Sequence, residues 1–291
     1  MTAPAAAAHG QRRLALGAVA LAGALWGSSF LLGKLALREI TPVWLIAWRF
    51  GIATAVLLPF VPWRSLRLGR AEWRLILAGG AMSSVVVFVV QFEGLARTTA
   101  SSAALLVAIA PPLLALFAAW ADDEHPDRIT WLAIALSALG VVFLVGTPGE
   151  GRTLLGDAMC AFSIVGAVVW TLVSRRLARR IGALPATALQ FAAGVPILLA
   201  LGAIQGGPAV PVSAAGWGAV LALALACTAI TFWLWTWGVV RVEAARAGVL
   251  ANIEPAVGAG LGVWLLDERL GPFALLGGAF LLAAALLASR P

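Results

Sequence analysis

RTTASSAALLVAIAPPLLALFAAWADDE, residues 97–124, and RVEAARAGVLANIEPAVGAGLGVWLLDE, residues 241–268, are one segment written twice. At an offset of 144 positions Arg97 meets Arg241, Pro111 meets Pro255, Trp120 meets Trp264, and Asp123-Glu124 meets Asp267-Glu268. The same offset carries Trp26 onto Trp170, Phe88 onto Phe232 and Gly94 onto Gly238. In an alanine-rich chain, alanine matches itself by chance. Proline, tryptophan, arginine and acidic pairs matching at one fixed offset are not explained that way.

The solvent of this chain follows from its composition. Hydrophobic residues make up 62% and charged residues 11%, with a mean hydropathy of +0.98. A soluble domain carries roughly 25% charged residues to solvate its surface. The chain cannot cover itself with polar groups, so its apolar segments require lipid. The net charge of +7 raises the question of a nucleic-acid partner. The basic residues, however, sit in short clusters between apolar runs, which is the pattern of topology signals and excludes a phosphate-binding face. Cys160 and Cys227 each lie inside an apolar run, and His9 and His125 in a tail and a loop. No disulfide framework, metal site or cofactor is expected from them. Residues through Gly10 read as a short disordered tail. The long run after Arg12-Arg13 leads into another span, so it reads as a retained first helix and not a signal peptide.

A spanning helix needs about 20 mainly apolar residues. Ten such stretches are expected, over 14–33, 42–62, 75–94, 100–120, 129–147, 154–174, 185–204, 216–240, 247–266 and 272–289. The fold class is therefore an all-α integral membrane protein of ten transmembrane helices. Residues 1–13 form an N-terminal tail, 14–147 a first five-helix repeat and 154–289 a second. Because five is odd, the two repeats are inverted relative to each other in the bilayer. Lysines and arginines concentrate in cytoplasmic loops. With a cytoplasmic N-terminus, 14 of them lie inside, 5 outside, and Arg49 within a span. Both termini are thus expected in the cytoplasm of a multi-pass plasma (bacterial inner) membrane protein. The loop after span two carries four arginines and its counterpart over 205–215 carries none. Inverted repeats of this kind are a signature of secondary transporters.

Ionisable groups within a bilayer are costly and point to function. Glu254 lies inside span nine, beside Asn252 and before Pro255. A proline has no N–H to offer the preceding turn, so a carboxylate, an amide and a freed carbonyl fall together. That set suits a substrate ammonium or a proton, and equally a hydrogen bond that only fixes packing. Pro111-Pro112 is the matching break in span four, with apolar neighbours. Gln91 is a cavity candidate in span three. Glu93 and Arg97 are four apart and pair on one helix face. Arg49 is too deep to snorkel freely and is expected to meet an acid or carbonyls. Trp26 opens Trp26-Gly27-Ser28-Ser29-Phe30, and it and Trp170 fall near mid-bilayer, where an indole N–H needs a partner. Of Trp233, Trp235 and Trp237, spaced by two, at most one or two can share a cavity face; Trp237 is the candidate. Gly258 and Gly262 offer a smooth packing face.

The chain resembles the EamA-type transporters of the drug/metabolite transporter superfamily over nearly its whole length, in two copies. The matching features are Trp26-Gly27-Ser28-Ser29-Phe30 with Lys34, Arg49-Phe50, and Gly94-Leu95 leading to Pro111. In the second copy they are Glu254-Pro255-Ala256-Val257 and Leu265-Leu266-Asp267-Glu268-Arg269-Leu270. The last stretch is similar to the threonine/homoserine exporter branch. The first copy departs from it, with His125-Pro126 where the second has Arg269-Leu270, and the chain has no tyrosine. The resemblance implies ten spans, cytoplasmic termini and export of amino acids, related metabolites or toxic small molecules.

Together these readings give a secondary transporter working by alternating access, whose partners are a small-molecule substrate, the bilayer and, if transport is coupled, protons. Trp26, Ser29, Gln91, Trp170, Trp237, Asn252 and Glu254 are expected at the solute. Pro111 and Pro255 are the helix breaks, and Arg49, Glu93 and Arg97 structural charges. Glu254 is the residue placed to carry a proton; the alternatives are a gradient-independent facilitator of other metabolites, an efflux protein for toxic compounds and, against the polar groups at mid-membrane, a non-transport membrane scaffold. No catalytic residue is expected: the spans hold no histidine, no Gly-x-Ser-x-Gly and no paired aspartates, so neither an intramembrane enzyme nor, without a phosphate-binding loop, an ATP-driven pump fits.

Overall fold

Lipid offers no hydrogen bonds, so each apolar segment must satisfy its own backbone, and it does so as helix. In the computed structural model, the described residues are 3–110, 113–114, 116–117, 127–145, 151–207, 209–243, 247, 250–251 and 253–288. Among them no strand occurs. The helices are α1 (Ala3–Ala36), α2 (Pro42–Leu57), α3 (Arg70–Ala96), α4 (Ala100–Ile109) and α5 (Arg128–Val145). They continue as α6 (Leu154–Ile181), α7 (Ala183–Ile204), α8 (Ala214–Val239), α9 (Ile253–Leu266) and α10 (Pro272–Ala288).

Six of these are long and apolar enough to cross a membrane: α1 from Gln11, α2 with its 3-10 extension to Phe60, α3, α6, α7 and α8. Ala100–Ile109, Trp131–Gly140 and Ile253–Leu266 are shorter apolar helices. Of the span expected over 100–120, Ala100–Ile109 is helix, and Pro111 and Pro112 lie outside the described residues. Large apolar side chains cover the exterior, among them Leu21, Leu77, Phe162, Leu221 and Trp264. A soluble monomer rarely exposes so much contiguous apolar surface, so the exterior is a lipid-facing one.

Local chemistry sets the helix ends. Thr99, Thr153 and Ser213 cap α4, α6 and α8, each accepting a backbone N–H three residues on, which satisfies a donor the helix leaves free. Gly182 alone separates α6 from α7, at φ +90°, a conformation glycine adopts without strain. Two helices carry a wider π turn: Met82–Val89 within α3 and Leu225–Ile230 within α8. The two begin within one residue of the sequence offset. In α8 the freed carbonyls find hydroxyl donors five residues on, Thr228 to Leu223 at 2.8 Å and Thr231 to Ala226 at 2.5 Å.

Helix packing follows the repeat. α1 packs on α8 and α9, as α6 packs on α3 and α4; α8 packs on α2 as α3 does on α7; and α2 meets α7 while α5 meets α10. Every one of these contacts maps onto another, or onto itself, when each helix is exchanged for the one five places along. Small residues allow the closest approach. A Cβ on Gly27 would lie 2.6 Å from the Glu254 carbonyl oxygen, and one on Gly258 2.5 Å from the Ala104 Cβ. α9 is thereby wedged between α1 and α4. Phe232 is the hub of the core, with ring centroids 5.0 Å from both Trp26 and Trp170, 5.1 Å from Phe191 and 5.5 Å from Phe88.

If this wedge is tight, Gly258→Val should destabilise the detergent-purified protein by about 1–3 kcal/mol through overpacking. Gly260→Val should be near neutral, because a Cβ there has nothing within 4 Å. Thermal unfolding of the two variants side by side decides it, and equal midpoints would contradict the packing described.

Candidate functional site: a cavity between the halves

α1, α3, α4, α6, α8 and the start of α9 converge on a cavity of about 90 Å³. Its aromatic wall consists of Trp26, Phe88, Trp170, Phe232 and Trp235. Polar groups reach it at Ser29, Ser83, Gln91, Thr171 and Glu254. A mostly apolar pocket with a few convergent polar groups is the usual form of a small-molecule site. The serines on α3, Ser83 and Ser84, lie within its π turn, and Ser84 Oγ donates to the Gly80 carbonyl at 2.6 Å. The wider turn thus lies in the part of α3 that lines the cavity, a common location for such turns.

Of the residues expected at the solute, Trp26, Ser29, Gln91, Trp170 and Glu254 share this cavity. Asn252 and the expected helix break Pro111 lie outside the described residues. Trp237 is not in the cavity wall; its ring lies beneath the Arg241 guanidinium, 4.2 Å from the centroid. Trp235 takes that place and is 5% exposed, while Trp233 is 40% exposed to the exterior. Phe232 and Trp235 are three apart and share a helix face. The sequence signal for that face was Phe232, the repeat mate of Phe88. Ser83, Phe88, Thr171 and Phe232 are further wall residues that the sequence reading did not place at the solute.

The three indoles of the wall differ in how their N–H groups are satisfied. Trp170 Nε1 donates to Gln190 Oε1 at 3.1 Å, and Ser174 Oγ donates to the same oxygen at 2.7 Å. Gln190 is fully buried on α7, so it fixes the plane of Trp170 from behind. A lone glutamine amid the apolar run of span seven was the available signal for it. Trp26 Nε1 and Trp235 Nε1 are buried and have no partner among the described residues.

Arg49 is 0% exposed and is held by the π turn of α8. Its Nε donates to Thr228 Oγ1 and its Nη2 to the Cys227 carbonyl at 2.9 Å. Its guanidinium lies 4.6 Å above the Phe88 ring and 5.4 Å above Phe92. Cation–π contact of this kind strengthens away from water. Arg49 therefore sits behind the wall and stiffens it. Glu254 is 8% exposed and stands in the first turn of α9, which begins at Ile253. There the helix dipole favours a negative charge. Pro255 follows in the same turn, where a missing N–H removes little.

At the end of the bundle where α1 and α3 finish, carboxylates tie the halves together. Glu268, between α9 and α10, accepts the backbone N–H groups of Ala100 at 2.9 Å and Ser101 at 2.8 Å, and the Ser101 hydroxyl. Thr98 Oγ1 donates to Asp157 at 2.7 Å, and Thr153 Oγ1 donates to the Arg97 carbonyl at 2.7 Å. Glu39 accepts from Val212 N and Ser213 N, each at 3.0 Å, and from Ser213 Oγ at 2.5 Å. The Ser213 bonds hold the Glu39 carboxyl below its ordinary range. A depressed carboxyl contributes its stabilisation above the ordinary carboxylate pKa and loses it only as pH falls through the lowered value. Glu93 and Arg97 form an ion pair at 2.5 Å at the same end. At the opposite end Arg180 meets Glu72 at 3.0 Å.

The EamA-like transporter family matches the chain twice, over residues 13–146 and 154–290. A protein named an uncharacterized transporter in Archaeoglobus fulgidus is 26% identical, across 92% of this chain and 95% of its own. A "probable terminal-alkyne amino-acid exporter" of Streptantibioticus cattleyicolor is 29% identical across 68% of this chain and 66% of its own. A "probable biotin transporter" of Pseudomonas aeruginosa is 24% identical across 89% and 92%. A solved crystal structure superposes with a TM-score of 0.74, covering 94% of this chain and 96% of that one at 23% identity; that likeness is one of fold.

Replacing Gln190 with Leu should leave two buried donors, on Trp170 and Ser174, without their acceptor, at about 1–3 kcal/mol. The expected result is a lowered unfolding midpoint for Gln190→Leu and a smaller loss for Trp170→Phe. No loss in Gln190→Leu would show that Trp170 is oriented by its ring contacts alone.

Proposed function

The chain belongs to the EamA-like transporter family, and from that premise we propose that it exports amino acids or related small amphipathic metabolites by alternating access through the cavity just described. The observation that carries the reading is the meeting of Trp26, Trp170 and Glu254 in one cavity walled by both halves of the chain. The exchange pattern of the helix contacts supports two related halves. In this reading each half has five helices and the two are inverted, and the arginine distribution favours both termini in the cytoplasm, with the protein in the inner membrane.

In this account the ties of Glu268, Asp157 and Glu39 close the outer end while solute is admitted from within. Each neutral hydrogen bond is worth roughly 0.5–1.5 kcal/mol net, and one to a charged group more, so a handful can be exchanged between faces without a large barrier. Glu254, the one carboxylate in the cavity wall among the described residues, takes a substrate ammonium or a proton. The amino-acid reading draws on the exporter of Streptantibioticus cattleyicolor. The biotin transporter of Pseudomonas aeruginosa favours a second reading, a transporter of other metabolites with the same cavity. The purified protein in proteoliposomes, given a panel of radiolabelled amino acids and biotin with a pH gradient on or off, separates the two. Saturable amino-acid flux supports the first reading; biotin flux alone supports the second.

Two outcomes bear on mechanism. If Glu254 carries the proton, Glu254→Gln should abolish the response of flux to the gradient; an intact response would assign the residue to binding or packing. If the outer end must open, a disulfide between cysteines placed at Ser101 and Glu268 should reduce flux to background, with recovery on reduction. Undiminished flux in the cross-linked protein would contradict alternating access through that end.

A further inference from the structure

At the end of the bundle opposite the ties of Glu268 and Glu39, two stretches far apart in sequence bring arginines to one joint. α6 ends at Ile181 with Arg179 and Arg180 in its last turn. α3 starts at Arg70, and Arg74 follows one turn on, on the same helix face. Arg180 Nη1 reaches across to Glu72 Oε1 at 3.0 Å, and Glu72 Oε2 accepts the Gly69 N–H at 2.9 Å. The end of α6 and the start of α3 are thereby held side by side. The stretch leading into α3 is held as well. Leu66 and Leu68 pack on a cluster that includes Ile76, Leu177 and Leu189, while Arg67 between them is exposed. Both oxygens of Glu72 are taken. Arg64, Arg67, Arg70, Arg74 and Arg179 are exposed and have no hydrogen bond or ion pair among the described residues. In sequence Trp63 and Trp73 bracket three of these arginines, and both rings are about half exposed.

Orientation signals account for positive charge at a cytoplasmic end. They require neither a shared joint nor an anchored loop. Guanidinium groups do not lose their charge in proteins, and gathering them without a counter-charge is unfavourable. The equivalent joint of the other pair of helices, the end of α1 against the start of α8, is made differently. There Glu39 binds Ser213, and the positions matching Arg64, Arg67, Arg70 and Arg74 are Pro208, Pro211, Ala214 and Gly218. The arginines are therefore not what such a joint needs to hold together. In a spanning protein exposed tryptophans sit at the level of the lipid headgroups, which places the neighbouring arginines at phosphate depth. We propose that the joint of α3 and α6 binds the headgroup phosphate of an anionic phospholipid. The guanidinium fork matches phosphate oxygens in pairs, and the indoles of Trp63 and Trp73 meet the boundary of the acyl chains. A free phosphate has the same oxygens but nothing for the indoles. α3 and α6 belong to different halves and both line the cavity. The lipid thus bridges the halves at this end, as the protein's own carboxylates do at the other, whatever solute the cavity takes.

The test uses the full chain, purified in detergent and stripped of lipid. Thermal unfolding is followed while phosphatidylglycerol or phosphatidylcholine is titrated in. Phosphatidylglycerol should raise the midpoint with an apparent affinity about tenfold or more above that of phosphatidylcholine, since each arginine near an anionic surface contributes about fivefold. Arg67→Gln/Arg74→Gln should reduce that preference about tenfold or more. Arg38→Gln/Arg269→Gln removes the same charge from exposed positions at the opposite end and should leave the preference unchanged. Inorganic phosphate at matching concentration should not move the midpoint. An equal response of wild type to the two lipids would overturn the proposal without any variant, so it stays testable even where a variant fails to fold. Equal losses in the two double variants would overturn it too, by tracing the preference to net charge alone. A rise with inorganic phosphate as large as that with phosphatidylglycerol would assign the joint to a soluble phosphate and overturn the lipid assignment.

Discussion

A polar group placed in hydrocarbon has to find its partner inside the protein. That constraint orders the whole molecule. Backbone groups are satisfied within helices, and where a π turn frees a carbonyl, Thr228 and Thr231 supply hydroxyls. Arg49, buried in the bundle, directs Nε to Thr228 and Nη2 to the Cys227 carbonyl and lays its plane over Phe88, while its Nη1 has no hydrogen-bond partner among the described residues. Gln190 satisfies Trp170 and Ser174 together. Some buried donors stay without a partner among the described residues, Trp26 Nε1 and Trp235 Nε1 in the cavity wall and Trp44 Nε1 and Arg49 Nη1 outside it, and the polar groups of the cavity gather where six helices converge.

The repeat accounts for why they gather there. Phe88 and Phe232 are equivalent positions and touch each other, and the equivalent pair Trp26 and Trp170 flank Phe232 from either side. Equivalent residues meet only near an axis that exchanges the halves. The polar groups at the axis are unequal, since Glu254 faces the cavity from the second half and its counterpart is Ala110. A shared scaffold thus carries a one-sided recognition surface.

Much of this was legible in the chain. The offset of 144 pointed to Trp26, Trp170 and the Phe88–Phe232 pair, and the apolar periods marked the helices. Gln91, Ser29 and Glu254 could be placed at the cavity because polar side chains are rare in such runs. The choice between Trp235 and Trp237 was legible only relative to Phe232, and the spacing of the three tryptophans alone did not make it. A π turn rotates everything after it relative to an ideal helix, and Leu225–Ile230 lies just upstream of these tryptophans. The spacing by two limited the cavity face to one or two of the three rings, and the turn sets which of them the wall receives, Trp235. The carboxylate ties were hidden for a different reason. Glu268 and Glu39 act across more than 160 positions of sequence, and no local pattern announces which helix end a loop carboxylate will reach.

The central claim is that one cavity serves both sides of the membrane. It is tested most directly by placing a single cysteine at Ser83, in a chain whose Cys160 and Cys227 are replaced by alanine. A membrane-impermeant thiol reagent is then applied to right-side-out and to inverted vesicles. The account predicts labelling from both sides, slowed in both by a transported solute. Labelling from one side only, or labelling that no solute slows, would contradict it.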